Sequence, residues 1–541
     1  MPRHLPLGSV LRSCNHLQKT RELFLLSKRL PSLVLEADVH ACSESTSEKT
    51  DTFNISTKSP QTQNDIKSMN AIPGPKGIRG LPLLGTILAL EPFTSHTTSK
   101  FHLLFHELHA KYGKIVLFPM GMHKSVLLFD PGLINVVISQ EGVHPNRTSI
   151  PILQAYATRK GVEMLSTRQG ENWYRARRPL QQGLSPRTIG SHLEDHFRCG
   201  EDLVTMLTHL NTDDGQFSIK RLLMKYVLEA TALITFNTRL GILSTDVNGL
   251  NKEHERFFDN LDEVFHLISK SLFTLPLMKL YRTPMYNRFE SAMDEVRSFC
   301  VEKISAAREE LDESPKCDNL LSYLSRDENM ADDEMISVMS SILFGGVEMT
   351  SQALMWLLWS LGVHEDKQEK LVEEIRKVST NRSSISVETL QHMPYLKACV
   401  KESFRFVYPT VNGPMRIIPN DMILGDYLIP KHTWVLFGHN TLCRSPAYFD
   451  QPDKYIPERW MDATQTPDRR RKMTLSALAF GMGRRNCVGR RLAEQQIYVA
   501  LIKIVHRYKI TIPETSRNPE ISYSVAALPE KDLDIRFVER T

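Results

Sequence analysis

The chain has 541 residues, enough for a large core, with 24% charged and 41% hydrophobic residues, the balance of an ordinary globular protein. A formal net charge of +5 is too small to argue for a nucleic-acid partner, and the lysines and arginines are not gathered in runs interleaved with aromatics. The eight cysteines (Cys14, Cys42, Cys199, Cys300, Cys317, Cys399, Cys443 and Cys487) are scattered with no CxxC pair, which argues against a disulfide scaffold or a zinc site and fits a reducing compartment.

Residues 1–35 carry Arg3, Arg12, Lys19, Arg21, Lys28 and Arg29 against Glu22 alone, with Leu17, Leu23, Leu26 and Leu30 at roughly helical spacing. A basic, amphipathic, acid-poor start reads as a mitochondrial transit peptide; a disordered basic arm is the plainer alternative. The longest apolar run there, Leu23-Phe24-Leu25-Leu26, is too short for a secretory signal, and no membrane anchor of about 20 apolar residues is expected. Residues 36–70 are expected to be a disordered linker, since 43–70 are rich in Ser, Thr, Asn, Gln and Lys. Pro73, Pro75 and Pro82 then stiffen the entry to a folded domain over 71–541.

Phe101 to Tyr112 has a helical pattern. The apolar runs 114–118 and 125–129, separated by Gly121, predict a hairpin. Most of the remainder to residue 390 is helical in pattern, as over 219–235, 293–311 and 365–378. The fold class is mainly α with small β-sheets. In Gly170-Glu171-Asn172-Trp173-Tyr174-Arg175-Ala176-Arg177-Arg178, Trp173 and Arg177 are four apart and share a helix face. They can donate together to a carboxylate, or form a surface stack. Residues 264–286 mix apolar side chains with Pro276, which suggests a loop between helices.

Residues 335–359 form a long apolar span interrupted by Gly345-Gly346. A glycine in a helix interior costs roughly 1 kcal/mol against alanine, so the pair is expected to have a purpose. It thins the helix and makes room for a flat cofactor and a diatomic ligand; a kinked core helix is the alternative. Glu348 and Thr350 add polar groups suited to proton delivery. Further on, Glu402 and Arg405 stand at i and i+3 on an amphipathic helix. A second arginine, Arg459, lies in a proline-bracketed segment and could lock onto Glu402. Lys397 and Lys401 share another face of that helix, and Arg490 and Arg491 form a second basic pair.

The stretch with the most chemistry is Phe480-Gly481-Met482-Gly483-Arg484-Arg485-Asn486-Cys487-Val488-Gly489, followed by a helical pattern. A cysteine just before a helix sits at the positive end of its dipole, which favours the thiolate. The glycines let the backbone approach a flat ligand. Arg485 can reach an anionic edge group, and Phe480 can cover the sulfur.

This run resembles the haem-ligand signature of the cytochrome P450 family, the haem-thiolate monooxygenases. The other motifs agree in kind and order, so the resemblance covers residues 72–541. It implies one large haem-thiolate fold holding haem b (iron protoporphyrin IX), with Cys487 as the axial thiolate on the metal. Arg485, Trp173, Arg177 and Arg416 are then propionate contacts, and Glu402, Arg405 and Arg459 form a network under the haem. Residues 264–286 would roof the substrate pocket and touch a membrane. In the family pattern Gly/Ala-Gly-x-Asp/Glu-Thr-Thr/Ser, Gly345, Gly346 and Glu348 match, and Thr350 matches the second hydroxyl position. Met349 stands where the oxygen-activating threonine is usual; a thioether donates no hydrogen bond. Either Thr350 substitutes through a local distortion, or a water or substrate hydroxyl does, or the enzyme rearranges peroxides instead.

In the mitochondrial branch, which includes animal steroid and vitamin D hydroxylases, basic residues at the places of Lys397, Lys401, Arg490 and Arg491 dock an acidic iron–sulfur ferredoxin. The expected activity is therefore insertion of one oxygen atom into an apolar, steroid-like substrate. Electrons would come from NADPH through ferredoxin reductase and ferredoxin. The expected place is the matrix side of the inner membrane, peripherally held. The rivals are a haem-thiolate isomerase and a non-enzymatic haem-thiolate ligand sensor or carrier.

Overall fold

The computed structural model describes residues 66–540, apart from 83, 92, 213–216, 244–251, 273, 275, 314–318, 328–329 and 380–385. The expected transit peptide and nearly all of the expected linker lie outside the described residues.

Helices dominate, as the periodicity predicts. The ones that matter here are α1 (Phe101–Tyr112), α2 (Gly170–Gly183), α3 (Leu193–Thr212), α4 (Ile219–Phe236), α5 (Lys252–Ser271), α6 (Pro284–Glu313), α7 (Asp332–Val363), α8 (Pro394–Phe406) and α9 (Arg490–Arg507). Helix α7 is buried on most of its surface, starts on Asp332, Asp333 and Glu334, and so places negative charge at the positive end of its dipole. Helix α4 packs along it. It is capped by the Ser218 hydroxyl, which accepts from the Arg221 N–H, and it ends on Asn237 in the left-handed conformation, a stop that asparagine tolerates. Two indoles fasten α7 to the C-terminal segment: Trp356 Nε1 donates to the Ala527 carbonyl at 2.9 Å and Trp359 Nε1 to that of Ser516 at 2.8 Å. Among the described residues no helix is long and apolar enough to cross a membrane.

The sheets are small. The predicted hairpin forms as β2 (Ile115–Met120) and β3 (His123–Leu128), antiparallel, with Ile115 opposite Leu128 and Met120 opposite His123. Gly121 turns it at φ +55°, a conformation open to glycine. Strand β3 also runs parallel to β7 (Trp434–Phe437), and β4 (Met415–Ile417) closes that four-stranded sheet. Its apolar face forms a core separate from the main helical one. Strand β6 (Tyr427–Ile429) lies between β5 (Met422–Leu424), its antiparallel partner, and β1 (Lys67–Ser68). Lys67 and Ser68 lie inside the stretch expected to be linker, yet they are tied in parallel to Tyr427 and Leu428.

Under the helices, Glu402 organises a buried ionic cluster. Arg405 grips its carboxylate with two donors, at 2.8 and 3.0 Å, and Arg459 Nε adds a third at 3.0 Å. The Trp460 indole and the Ile456 N–H complete the shell at 2.8 and 2.9 Å. Arg405 spends its remaining donors on the carbonyls of Cys443, Pro452 and Lys454. Glu402 and Arg405 have no solvent exposure, so the cluster stands or falls as a unit. Glu402→Ala would strand two buried guanidiniums, at a cost of about 3–5 kcal/mol. Denaturant unfolding of the purified protein should show that loss.

Candidate active site

The cysteine loop is held by its own backbone. The Cys487 N–H donates to the Phe480 carbonyl at 2.9 Å and the Asn486 N–H to that of Gly483 at 3.2 Å. Gly481 and Gly483 have φ of +69° and +78°. At Gly483 a Cβ would also lie 2.2 Å from Glu141 Oε1, so glycine is required there twice over. Phe480 packs edge-on against Phe404 of α8, with centroids 5.3 Å apart, and the Arg490 guanidinium lies 5.7 Å from its ring.

Cys487 presents open surface at its side chain, yet it lies deep in the protein. Enough atoms surround it that burial pushes its thiol above the ordinary value, against the pull of the Gly489 N–H, Arg177 and Arg147. Open surface inside a packed body is the wall of an internal slot. The helix end alone therefore does not hold a thiolate here; burial outweighs it, and an electron-accepting metal would have to supply the difference.

The edge of the slot is cationic. Arg177 of α2 donates to Asn486 Oδ1 at 2.8 Å, and its Nε is buried with no partner. Arg485 donates to the carbonyls of Pro145 and Arg168 and to Gln169 Oε1, and its Nη1 is likewise unpartnered. The buried Trp173 ring lies between them, 4.3 Å from the Arg485 guanidinium and 5.9 Å from that of Arg177. Burial pulls Arg177 down to about 10, and pulls Arg485, with Arg147, Arg416 and Arg177 beside it, to about 8. Cations pressed that far are short of an anion. The donors fit a group with a carboxylate edge, and the open thiol fits its metal, so these residues suit haem.

Arg416 differs from its neighbours. It is paired with Glu141 at 2.6 Å and donates to the carbonyls of Met415 and Met482. Sequence reasoning missed Arg147, which burial and Arg416 lower to about 10 and which bears electrostatically on Cys487. It sits in a loop with no spacing to mark it.

Helix α7 offers one open stripe. Gly345, Gly346, Met349 and Ala353 are partly exposed among buried neighbours, and a Cβ on either glycine would meet nothing within 4 Å. Met349 and Ala353 line a small cavity with Gln352, Trp356 and Phe404. Phe404 thus joins this stripe to Phe480 of the cysteine loop. The helix is continuous through this stretch, from Asp332 to Val363. Thr350 is buried, roughly 100° further round than Met349; the thioether, not a hydroxyl, holds the open position.

Glu348 is buried, and burial raises its carboxyl above the ordinary range. Gln352 Nε2 donates to its Oε1 at 3.1 Å, and the Lys220 ammonium of α4 lies 3.5 Å away. Lys220 also bonds Asp262 of α5 at 2.5 Å. Lys220 and Asp262 are both partly exposed, so a route from solvent to Glu348 exists.

The predicted basic face is partly assembled. Packing around the Lys401 ammonium, then repulsion from Arg490 and Lys397, holds it below its ordinary value. Those three therefore share one electrostatic neighbourhood. Arg490 is tethered to Glu494 at 2.9 Å, and Arg491 is exposed. As a test of the cationic edge, Arg177→Met should loosen haem by about tenfold or more, the worth of a charge-assisted hydrogen bond of about 1.5–3 kcal/mol. Transfer of haem to an excess of globin apoprotein measures it. Haem-free protein carrying the same change should be no less stable.

Comparison with known proteins agrees with this geometry. The family model for cytochrome P450 matches residues 75–537. The chain is 28% identical to cytochrome P450 10 of Lymnaea stagnalis, over 91% of this chain and 90% of that protein. It is 28% identical to the mitochondrial 1,25-dihydroxyvitamin D(3) 24-hydroxylase of Mus musculus, over 88% and 91%. It is 26% identical to the mitochondrial sterol 26-hydroxylase of Homo sapiens, over 86% and 90%. With an open cysteine deep in the protein, a cationic rim and a match spanning most of its length, the chain belongs to the cytochrome P450 family of haem-thiolate monooxygenases.

Proposed function

We propose that this enzyme inserts one atom of dioxygen into an apolar, steroid-like substrate, using electrons from NADPH passed through a ferredoxin reductase and an iron–sulfur ferredoxin. The observation that carries the reading is the pairing of an open Cys487 thiol with unpartnered donors on Arg177 and Arg485. Cys487 would ligate the iron of haem b. Arg177, Arg485 and Trp173 would hold its propionates, with Arg147 adding positive charge and Arg416 steadying the loop through Met482. When bound, the haem supplies dioxygen activation, which a thiolate ligand favours.

The chain's own part is to exclude water and to meter protons. Phe480, packed against Phe404 and Arg490, would cover the sulfur. Phe265 of α5 stacks on Phe344 of α7 at 4.7 Å, just before the glycine pair, and closes the apolar side. Glu348 keeps its proton more readily than a surface carboxylate would, and Lys220 and Asp262 connect it to solvent. Lys397, Lys401, Arg490 and Arg491 would steer an acidic electron carrier to the cysteine side.

Two of the relatives are named as mitochondrial hydroxylases of a vitamin D compound and of a sterol, which supports the substrate class and location. So does the basic, acid-poor stretch 1–35, read as a transit peptide ahead of the linker 36–70 and the catalytic domain 71–541. Peripheral membrane contact is supported by exposed Leu272, Leu277, Leu280 and Tyr281. The hairpin tip with exposed Met122 adds to that patch, since His123 feels the charge of Lys279. Met349 on the open stripe favours one second reading, a haem-thiolate isomerase that rearranges peroxides.

Electron supply separates the two. Protein lacking residues 1–35, mixed with carbon monoxide and NADPH, should show the red-shifted Soret band of thiolate-bound ferrous haem with ferredoxin and its reductase. The microsomal flavoprotein reductase should not produce it. A band that needs dithionite favours the isomerase. Cys487→Ala should abolish the thiolate band altogether; a retained band would refute the ligand assignment.

A further inference from the structure

A family member with a thioether at the oxygen-facing position needs another group to pass protons, and the structure offers one. Gln352 lies one turn beyond Glu348 on α7 and shares the small cavity with Met349, Ala353 and Phe404. Its Nε2 donates to Glu348 Oε1 at 3.1 Å. Beyond that bond the pair is unsatisfied: Gln352 Oε1 and Glu348 Oε2 are both buried without a partner. Gln352 is 2% exposed and Glu348 is 3% exposed, so bulk water does not meet the need. Buried polar oxygens without a donor are rare in folded proteins. Gln352 Oε1 is an acceptor, while Glu348 donates from its free oxygen when the carboxyl carries its proton; a water molecule, which both donates and accepts, satisfies the two.

We propose that Gln352 is the positioning residue that replaces the hydroxyl absent at position 349: its amide oxygen holds a water beside Met349, in line to take a proton from Glu348. This rests on the monooxygenase reading above. The step moves protons only. One leaves the Glu348 carboxyl for the water, the water releases another into the open stripe, and Glu348 is reprotonated from solvent past Lys220 and Asp262. Met349 neither donates to that water nor competes strongly as an acceptor, so the amide sets the water's orientation.

The test uses the haem-loaded protein with ferredoxin and its reductase, in four forms: unaltered, Gln352→Leu, Met349→Thr, and both changes together. Two quantities are read. One is hydrogen peroxide released per NADPH consumed. The other is the infrared carbonyl stretch of protonated Glu348, assigned by its loss in Glu348→Gln. Gln352→Leu should raise the peroxide fraction by about two- to tenfold, the scale of one hydrogen bond, and move the Glu348 band to higher frequency. Met349→Thr alone adds a hydroxyl relay beside the amide and should lower the peroxide fraction. Combined with Gln352→Leu it should bring the peroxide fraction back down, because a hydroxyl then does the amide's work.

Gln352→Leu that changes neither quantity overturns the inference. So does uncoupling that Met349→Thr does not rescue, since a mere packing defect behaves that way. Unaltered protein that consumes no NADPH with ferredoxin overturns the monooxygenase reading and this one with it. Normal turnover with a silent Gln352→Leu removes only the role given to Gln352.

Discussion

Buried positive charge without its complement is the constraint around which this molecule is arranged. Arg177 and Arg485 are fixed by carbonyls and amides on three separate stretches of chain, yet each keeps an unmet donor, and their mutual repulsion with Arg147 depresses them further. Desolvated guanidiniums are costly, and a chain free to relax would turn them to solvent. They stay because α2, the Pro145 loop and the cysteine loop hold them. The same holds at the sulfur, where burial works against the thiolate. Rim and ligand are thus both set for a partner that brings an anion and a metal in one piece.

Glu402 shows the opposite solution. There the buried charges are matched, three donors from Arg405 and Arg459 meeting one carboxylate with an indole and a backbone N–H filling the shell. That satisfied cluster keeps α8 rigid, and α8 carries Phe404, the side chain common to the α7 stripe and the cysteine loop. The matched site gives the unmatched one a firm floor.

Much of this was legible in the sequence because it is local. Glu402 and Arg405 sit one helical turn apart, the hairpin is marked by Gly121, and the loop from Phe480 to Gly489 carries its own spacing. Even the orientation of Met349 follows from periodicity, three and four residues beyond the glycine pair. What could not be read depends on partners far away in the chain. Arg147 has no pattern of its own. Trp460 adjoins Arg459, but nothing local says that its indole will reach Glu402 as well. Lys220 meets Glu348 only because α4 packs on α7. Lys67 and Ser68 look like linker because their own side chains bury nothing; the pairing with Tyr427 and Leu428 alone makes them a strand.

The parallel pairing of β3 with β7 has a further meaning for how the chain comes to be folded. Ser125 meets Trp434 and Leu128 meets Phe437, so the sheet near the N-terminal end remains incomplete until most of the polypeptide exists. Cys487 comes later still. Contacts of such long sequence separation form slowly, because loop closure precedes any gain from pairing. A chain that emerges from its N-terminus, whether from a ribosome or through a membrane pore, therefore travels with β2 and β3 unfinished and their apolar face uncovered. Its exposure to aggregation is set by the delay between the first strand and the last, and a chaperone that shields this hairpin would act where the topology leaves the greatest wait.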